Sequence, residues 1–202
     1  NIGRLLDAIE DMGLAGEVYV LVVSDHGQAS YADPEATFVL RDHIDLTGLE
    51  VTAGGTYAWI YQEEPDLERA RAIRDAINAA WSHGRAVLRD EAPAEWRIDG
   101  SPRFPDIFVV PDAGYGVVAE REAVQRLKKG DHGWDPSHKS MHGIFLAAGP
   151  RLPRGLTIGE VSAVEIYPLM LDLLQIDAPL PAAGRDGLRS LLEDSRGPDA
   201  RH

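Results

Sequence analysis

Two short stretches of this chain carry side chains that could do chemistry at one point. The first is Ser24-Asp25-His26-Gly27, which follows directly on the apolar run Val18 to Val23. An aspartate beside a histidine supplies one hard oxygen and one imidazole nitrogen, a donor pair suited to zinc or a similar divalent ion. Gly27 leaves room for close approach. As a bare dipeptide, the pair also reads as Asp25 capping a turn beside an ordinary surface histidine. The second stretch is Gly130-Asp131-His132-Gly133-Trp134-Asp135, followed by Ser140-Met141 and the apolar run Ile144 to Ala148. His132, in a glycine-bracketed loop ahead of a predicted strand, has the setting of a metal ligand and equally that of a turn residue. The three lysines of the chain, Lys128, Lys129 and Lys139, all fall around this loop. They are either a local attraction for an anionic substrate or a solvated charge run. His43, His83, His138, His142 and His202 show no matched spacing on a clear element and are read as non-ligands. Trp59, Trp81 and Trp96 are read as packing residues.

The elements that must position these groups are legible from periodicity. Ile2, Leu5, Leu6, Ile9 and Met12 stand at helical spacing, and Gly13 and Gly16 break the pattern before Val18 to Val23. That run has no polar alternation, so it predicts a strand covered on both faces, as in a parallel sheet flanked by helices. Ligands in such α/β sheets gather beyond the carboxyl ends of the strands, which is where Ser24 to Gly27 emerges. Residues 56–110 predict a small α+β insertion. It has strands at Thr56 to Tyr61, Arg85 to Leu88 and Ile107 to Val110, and a helix from Pro65 to about Trp81 that Gly84 ends. Leu67, Ala70, Ile73, Ile77 and Trp81 lie along one face of that helix. Ser162 and Glu165 form a capping box for a last helix through Tyr167, Leu171 and Leu174, with Pro168 tolerated near its first turn. Residues 193–202 read as a frayed polar tail.

Composition bounds the function from outside. The chain has 202 residues, 20 basic against 33 acidic side chains, a formal charge of −13, and 44% hydrophobic residues. This suits a globular domain with a sizeable core and argues against a nucleic-acid platform or an anionic membrane surface as partner. With no cysteine, disulfides, thiolate metal sites and cysteine nucleophiles are excluded. No apolar run approaches the roughly 18 residues a spanning helix needs. The chain opens at Asn1 inside an amphipathic pattern with no leader ahead of it, so it reads as a piece of a longer protein.

Several motifs, taken in order, resemble those of the type I phosphodiesterase/nucleotide pyrophosphatase family of the alkaline phosphatase superfamily. They are Val22-Val23-Ser24-Asp25-His26-Gly27, Asp131-His132-Gly133-Trp134-Asp135 with Ser140-Met141, Ile144 to Pro150, and Val164 to Met170. Arg103 to Ile107 and Gly114-Tyr115 are similar to the stretch the family places before its histidine loop. The resemblance runs from residue 1 to about 192. It implies an alkaline-phosphatase-like, mostly parallel sheet flanked by helices, built from residues 1–55 and 111–192, with 56–110 inserted.

For function, the resemblance implies a hydrolase with two divalent metal ions, usually zinc, acting on a small anionic phosphate ester such as a nucleotide. It also implies a covalent phospho-enzyme on a threonine or serine. Carried over by position, Asp25 and His26 hold the nucleophile-side ion and His132 the leaving-group-side ion. The family's nucleophile and its remaining ligands precede the Ser-Asp-His-Gly motif. Only 24 residues stand before Asp25 here, and they contain no such set. The chain therefore reads as the C-terminal portion of such an enzyme, inactive alone, and by resemblance extracytoplasmic. Other hydrolases of the superfamily, acting on phosphomonoesters, phosphonates or sulfate esters, remain open, as does a non-catalytic module that keeps the fold. The two-metal reading carries a geometric expectation: His26 and His132, 132 − 26 = 106 residues apart, must converge so that their coordinating nitrogens lie within roughly 8 Å.

Overall fold

The structure, a computed structural model, describes residues 1–33, 36–98, 101, 103–127, 129–178 and 188. Lys128, His202 and the expected tail lie outside the described residues. The chain divides into two compact units, Asn1–Val23 with Phe145–His202, and Ser24–Ile144.

In the first unit, α1 spans Ile2–Asp11, as its apolar spacing predicts. None of its residues is buried, and Ile2, Leu5, Leu6 and Met12 are exposed. β1 (Val20–Val23) pairs antiparallel with β10 (Phe145–Ala148), Val20 opposite Ala148 and Val23 opposite Phe145. This corrects the expectation for Val18 to Val23: β1 is only partly buried, and Val23 is exposed. A uniformly apolar run marks a surface able to be covered, but it does not encode which strand pairs with it or in which direction. α3 (Ile166–Leu174) follows the Ser162 and Glu165 capping box, in which the Ser162 N–H donates to Glu165 Oε2 at 3.2 Å. Pro168 falls in its first turn, where no intrahelical N–H is missed. Leu169 and Leu173 of α3 pack with Leu188, Tyr19, Leu21 and Phe145. Arg151 donates to the Asp172 carbonyl at 2.7 Å and to Tyr19 Oη at 2.8 Å, closing the carboxyl end of α3.

The second unit holds β2 (Ala29–Ser30), β3 (Phe38–Val39), β4 (Leu49–Ala53), β5 (Ala58–Gln62), α2 (Leu67–Ala80), β6 (Gly84–Leu88), β7 (Ile107–Pro111), β8 (Val117–Val118) and β9 (Gly130–Asp131). The parallel pairing here joins β3 to β8. β4, β5, β7 and β6 form one antiparallel sheet in that order. Its inner face alternates as half-buried strands must: Ala58, Ile60, Ile107, Val109, Ala86 and Leu88 pack with Ala70, Ile73 and Ile77 of α2. The Asp66 carboxylate caps α2 by accepting from Glu68 N and Arg69 N. Leu67, expected on the buried stripe, is exposed in the first turn. Gly84 does not end the helix; it opens β6, where a Cβ would meet the Trp81 indole at 2.4 Å. β4 had no clear sequence signal and supplies the sheet's edge. Trp59, expected as packing, lies on the outer face and is exposed.

The motif Arg103 to Ile107 serves this sheet. Asp106 accepts from Gln62 N at 2.8 Å and from Arg89 Nη2 at 2.8 Å, tying β5 and the end of β6 to the start of β7. Among the described residues, no helix is long and apolar enough to cross a membrane.

Candidate functional site

The two Asp-His-Gly stretches meet. Three residues beyond His26, β2 pairs antiparallel with β9, Ala29 opposite Asp131 and Ser30 opposite Gly130, so His132 follows directly on the ladder. On the other side the first stretch is tied to residues 140–144. Gly27 N donates to Met141 O at 2.9 Å, Ser24 N to Ile144 O at 3.1 Å, and Ile144 N to Ser24 Oγ at 2.8 Å. These contacts explain two glycines. A Cβ on Gly27 would lie 2.1 Å from Ser140 O, and one on Gly143 would lie 2.6 Å from Ser24 Oγ.

Between these ties the His26 and His132 rings stack, with centroids 3.6 Å apart and planes 13° from parallel. The convergence expected of the two histidines is met. Asp25 stands beside them, its Oδ2 3.3 Å from His26 Nε2 and its side chain exposed. Both histidines have the same local geometry, since His26 N donates to Asp25 Oδ1 at 3.1 Å and His132 N to Asp131 Oδ1 at 3.0 Å. His26 Nδ1 lies 2.6 Å from Gly27 O. A carbonyl only accepts, so Nδ1 carries the proton there, and in the neutral ring Nε2 is left with its lone pair.

Nε2 and the Asp25 Oδ2 then stand 3.3 Å apart. Two ligands about 2.05 Å from a tetrahedral zinc lie ~3.3 Å apart, the separation this pair shows. A carboxylate oxygen and an imidazole nitrogen are donor types that divalent cations such as zinc accept. Among the described residues no group of three or more His, Asp or Glu is placed to hold a metal ion.

The histidine loop is anchored by residues that motif reading did not single out as supports. Trp134, buried two residues after His132, donates Nε1–H to Tyr115 O at 2.8 Å and meets Tyr31 edge-on at 5.1 Å. Gly114, at φ +94°, makes the turn that presents this carbonyl. Asp135, the last residue of the motif, pairs with Arg85 at 3.1 Å. Lys129 and Lys139 are exposed. His43 stacks on Phe38 and His83 on Tyr115. His142 Nε2 lies 3.1 Å from Pro136 O within its own loop.

Tyr31 carries a pH signal. Its hydroxyl is buried with no hydrogen-bond partner among the described residues. Burial, then the negative charge of Asp131, push its pKa up to about 12. The folded value thus exceeds the unfolded one, near 10. Stability is expected to hold below about pH 10 and to decline as pH rises through the interval to about 12. Tyr31→Phe should flatten that decline and, by removing an unpaired buried hydroxyl, raise stability by about 1 kcal/mol at neutral pH. Urea unfolding at neutral and alkaline pH checks both. A variant less stable than the parent at neutral pH is the contrary result.

Residues 1–135 match the family described as type I phosphodiesterase / nucleotide pyrophosphatase. Over 196 residues the chain is 28% identical to the bis(5'-adenosyl)-triphosphatase ENPP4 of Bos taurus, covering 93% of this chain and 39% of that protein. Over 176 residues it is 25% identical to its Xenopus laevis counterpart, covering 87% and 37%. The solved murine ectonucleotide pyrophosphatase / phosphodiesterase 5 superposes with a TM-score of 0.80 at 24% identity, covering 95% of this chain and 49% of that one. An inactive form of the same murine protein in complex with AMP gives 0.79. These likenesses bear out the alkaline-phosphatase-like α/β fold. The chain spans about two fifths of the length of these curated relatives and half that of the solved one. With its motifs in order and two thirds of its length matched, the chain belongs to the type I phosphodiesterase/nucleotide pyrophosphatase family.

Proposed function

We propose that the chain is the C-terminal portion of a metal-dependent phosphodiesterase/nucleotide pyrophosphatase. The whole enzyme acts on small anionic phosphate esters such as nucleotides, through a covalent phospho-enzyme whose nucleophile lies upstream of residue 1. The observation that carries this reading is the stacking of His26 and His132, 106 residues apart in sequence, with Asp25 alongside. Core packing gives no reason to bring two polar rings so distant in sequence to one solvent-facing point. Relatives named as triphosphatases of a dinucleotide, and a structural neighbour holding AMP, support a nucleotide over a sulfate ester. The exposed apolar stripe of α1 supports the reading as a portion, since such a stripe ordinarily faces a core.

Asp25 and His26 hold one divalent cation and His132 the other. When bound, two such ions offset charge on the attacking and leaving oxygens of an in-line displacement at phosphorus. His26 is held for this task by its Nδ1–H bond to Gly27 O, which orients Nε2 toward the Asp25 carboxylate. The nucleophile and the remaining ligands come from the upstream part of the protein.

Zinc titration of the 202-residue chain by calorimetry tests the metal assignment. Two protein ligands for one ion and one for the other fall short of the three or four of a tight site. Uptake should therefore be weak, below the ~10 kcal/mol at which complete structural sites begin, and Asp25→Ala or His26→Ala should abolish what remains. Tight stoichiometric uptake unaffected by these substitutions and by His132→Ala would overturn it and move the metal elsewhere, for instance to Asp131 or His138.

A further inference from the structure

Thr56 is one of the few buried polar side chains among the described residues, 1% exposed, in the turn that joins β4 to β5. Its Oγ1–H donates to the backbone carbonyl of His132 at 2.9 Å, across 76 residues of sequence. The same oxygen defines the space over Gly133, where a Cβ would stand 2.7 Å from it and where φ is +107°. The peptide linking His132 to Gly133 is thus seated on the threonine hydroxyl, in a conformation that favours glycine.

On the other side of His132, its N–H is held by Asp131 Oδ1 at 3.0 Å. Both peptide planes flanking the His132 Cα are therefore fixed, one by Asp131 and one by Thr56. That sets the direction of the Cα–Cβ bond and leaves only the side-chain torsions to bring the ring onto His26. His26 differs, because its own Nδ1 is tied to Gly27 O. Valine would fill nearly the same volume at position 56 without the hydroxyl, and would leave the His132 carbonyl short of a donor.

We infer that Thr56 is a positioning residue for His132: its buried hydroxyl, carried on the neighbouring hairpin, aims that imidazole at the point where it meets His26. The consequence for metal binding rests on the proposed function; the consequence for ring geometry does not.

The test is Thr56→Val and Thr56→Ser, read by proton–nitrogen correlation spectra of the histidine rings in the 202-residue chain, with His132→Ala assigning the His132 signals. Thr56→Val should shift the His132 signals and, through the stack, those of His26, while Thr56→Ser keeps them near their original positions. A Thr56→Val protein that melts lower but keeps both sets of ring signals in place would show a structural role only and overturn the inference. In the full-length protein, Thr56→Val should weaken zinc affinity by about tenfold or more, the usual range for groups that orient a ligand, with Thr56→Ser restoring it. Shifted rings together with zinc affinity unchanged by both Thr56→Val and His132→Ala would sustain the positioning role and overturn the assignment of His132 as a ligand.

Discussion

The 202-residue chain is expected to show no turnover of a chromogenic phosphodiester, whereas the same chain joined to the upstream part of its protein is expected to hydrolyse it. On the reading proposed, in-line displacement at phosphorus uses a nucleophile together with two ions that would offset charge on the attacking and leaving oxygens. Here Asp25, His26 and His132 converge, and on the reading proposed they supply two donors to one ion and one to the other. A cation so held exchanges easily and orients water poorly. The nucleophile, on the reading proposed, is supplied from upstream. The difference between the two proteins is thus the whole reaction rather than a fraction of it. In the joined protein His132→Ala should also remove most of the activity, because on the reading proposed His132 is the donor this chain supplies to the leaving-group-side ion. Hydrolysis by the chain alone that Asp25→Ala abolishes is the result that would show the reading to be wrong.

Gly27→Ala is expected to cost more than any other single methyl added at a described glycine of the candidate site. The new Cβ would stand 2.1 Å from Ser140 O and 2.7 Å from His142 O, both backbone atoms that cannot swing aside as a side-chain tip can. Relief requires moving the Ser24 to Gly27 segment away from residues 140–142, which breaks the Gly27 N to Met141 O bond of 2.9 Å. Overpacking of this kind costs about 1–3 kcal/mol, and the lost hydrogen bond adds about 1 kcal/mol. The same movement carries His26 away from His132, so the ring signals should separate as well. Gly16→Ala is the control: a Cβ there meets nothing within 4 Å, and its effect should stay within about 0.5 kcal/mol. Denaturant midpoints at constant slope measure both. A Gly27→Ala protein as stable as the control, with its histidine signals unmoved, would contradict the close approach.

The family assignment rests on residues that could be read without coordinates, since Ser24 to Gly27 and Asp131 to Asp135 each carry local chemistry in a contiguous stretch. α1, α2 and α3 were legible for the same kind of reason. Helical periodicity and end signals are encoded within a few turns, as with Pro65 ahead of α2 and Ser162 ahead of α3. β5, β6, β7 and β10 were legible from apolar runs bounded by turn residues, within two residues at their ends. β1 shows the limit of that signal. Its residues are apolar and its existence was plain, but its direction and partial exposure follow from pairing with β10, more than a hundred residues away.

What the sequence by itself determined, then, is where the helices and the longer apolar strands form and which stretches carry the family's motifs, because both depend on neighbours a few positions apart. What only the tertiary structure decided is that the two Asp-His-Gly stretches stand together and what holds them there. β2 and β9 are two residues each, too short to have any periodicity of their own, and their register exists only as hydrogen bonds between distant segments. Gly27 reads as room for a close approach, and only the fold shows that what approaches is Ser140 O. Thr56 reads as the start of a strand until its hydroxyl is seen on the His132 carbonyl. Hydrogen bonds and close approaches between segments so far apart leave no pattern in either segment alone, so they appear only once the chain has folded.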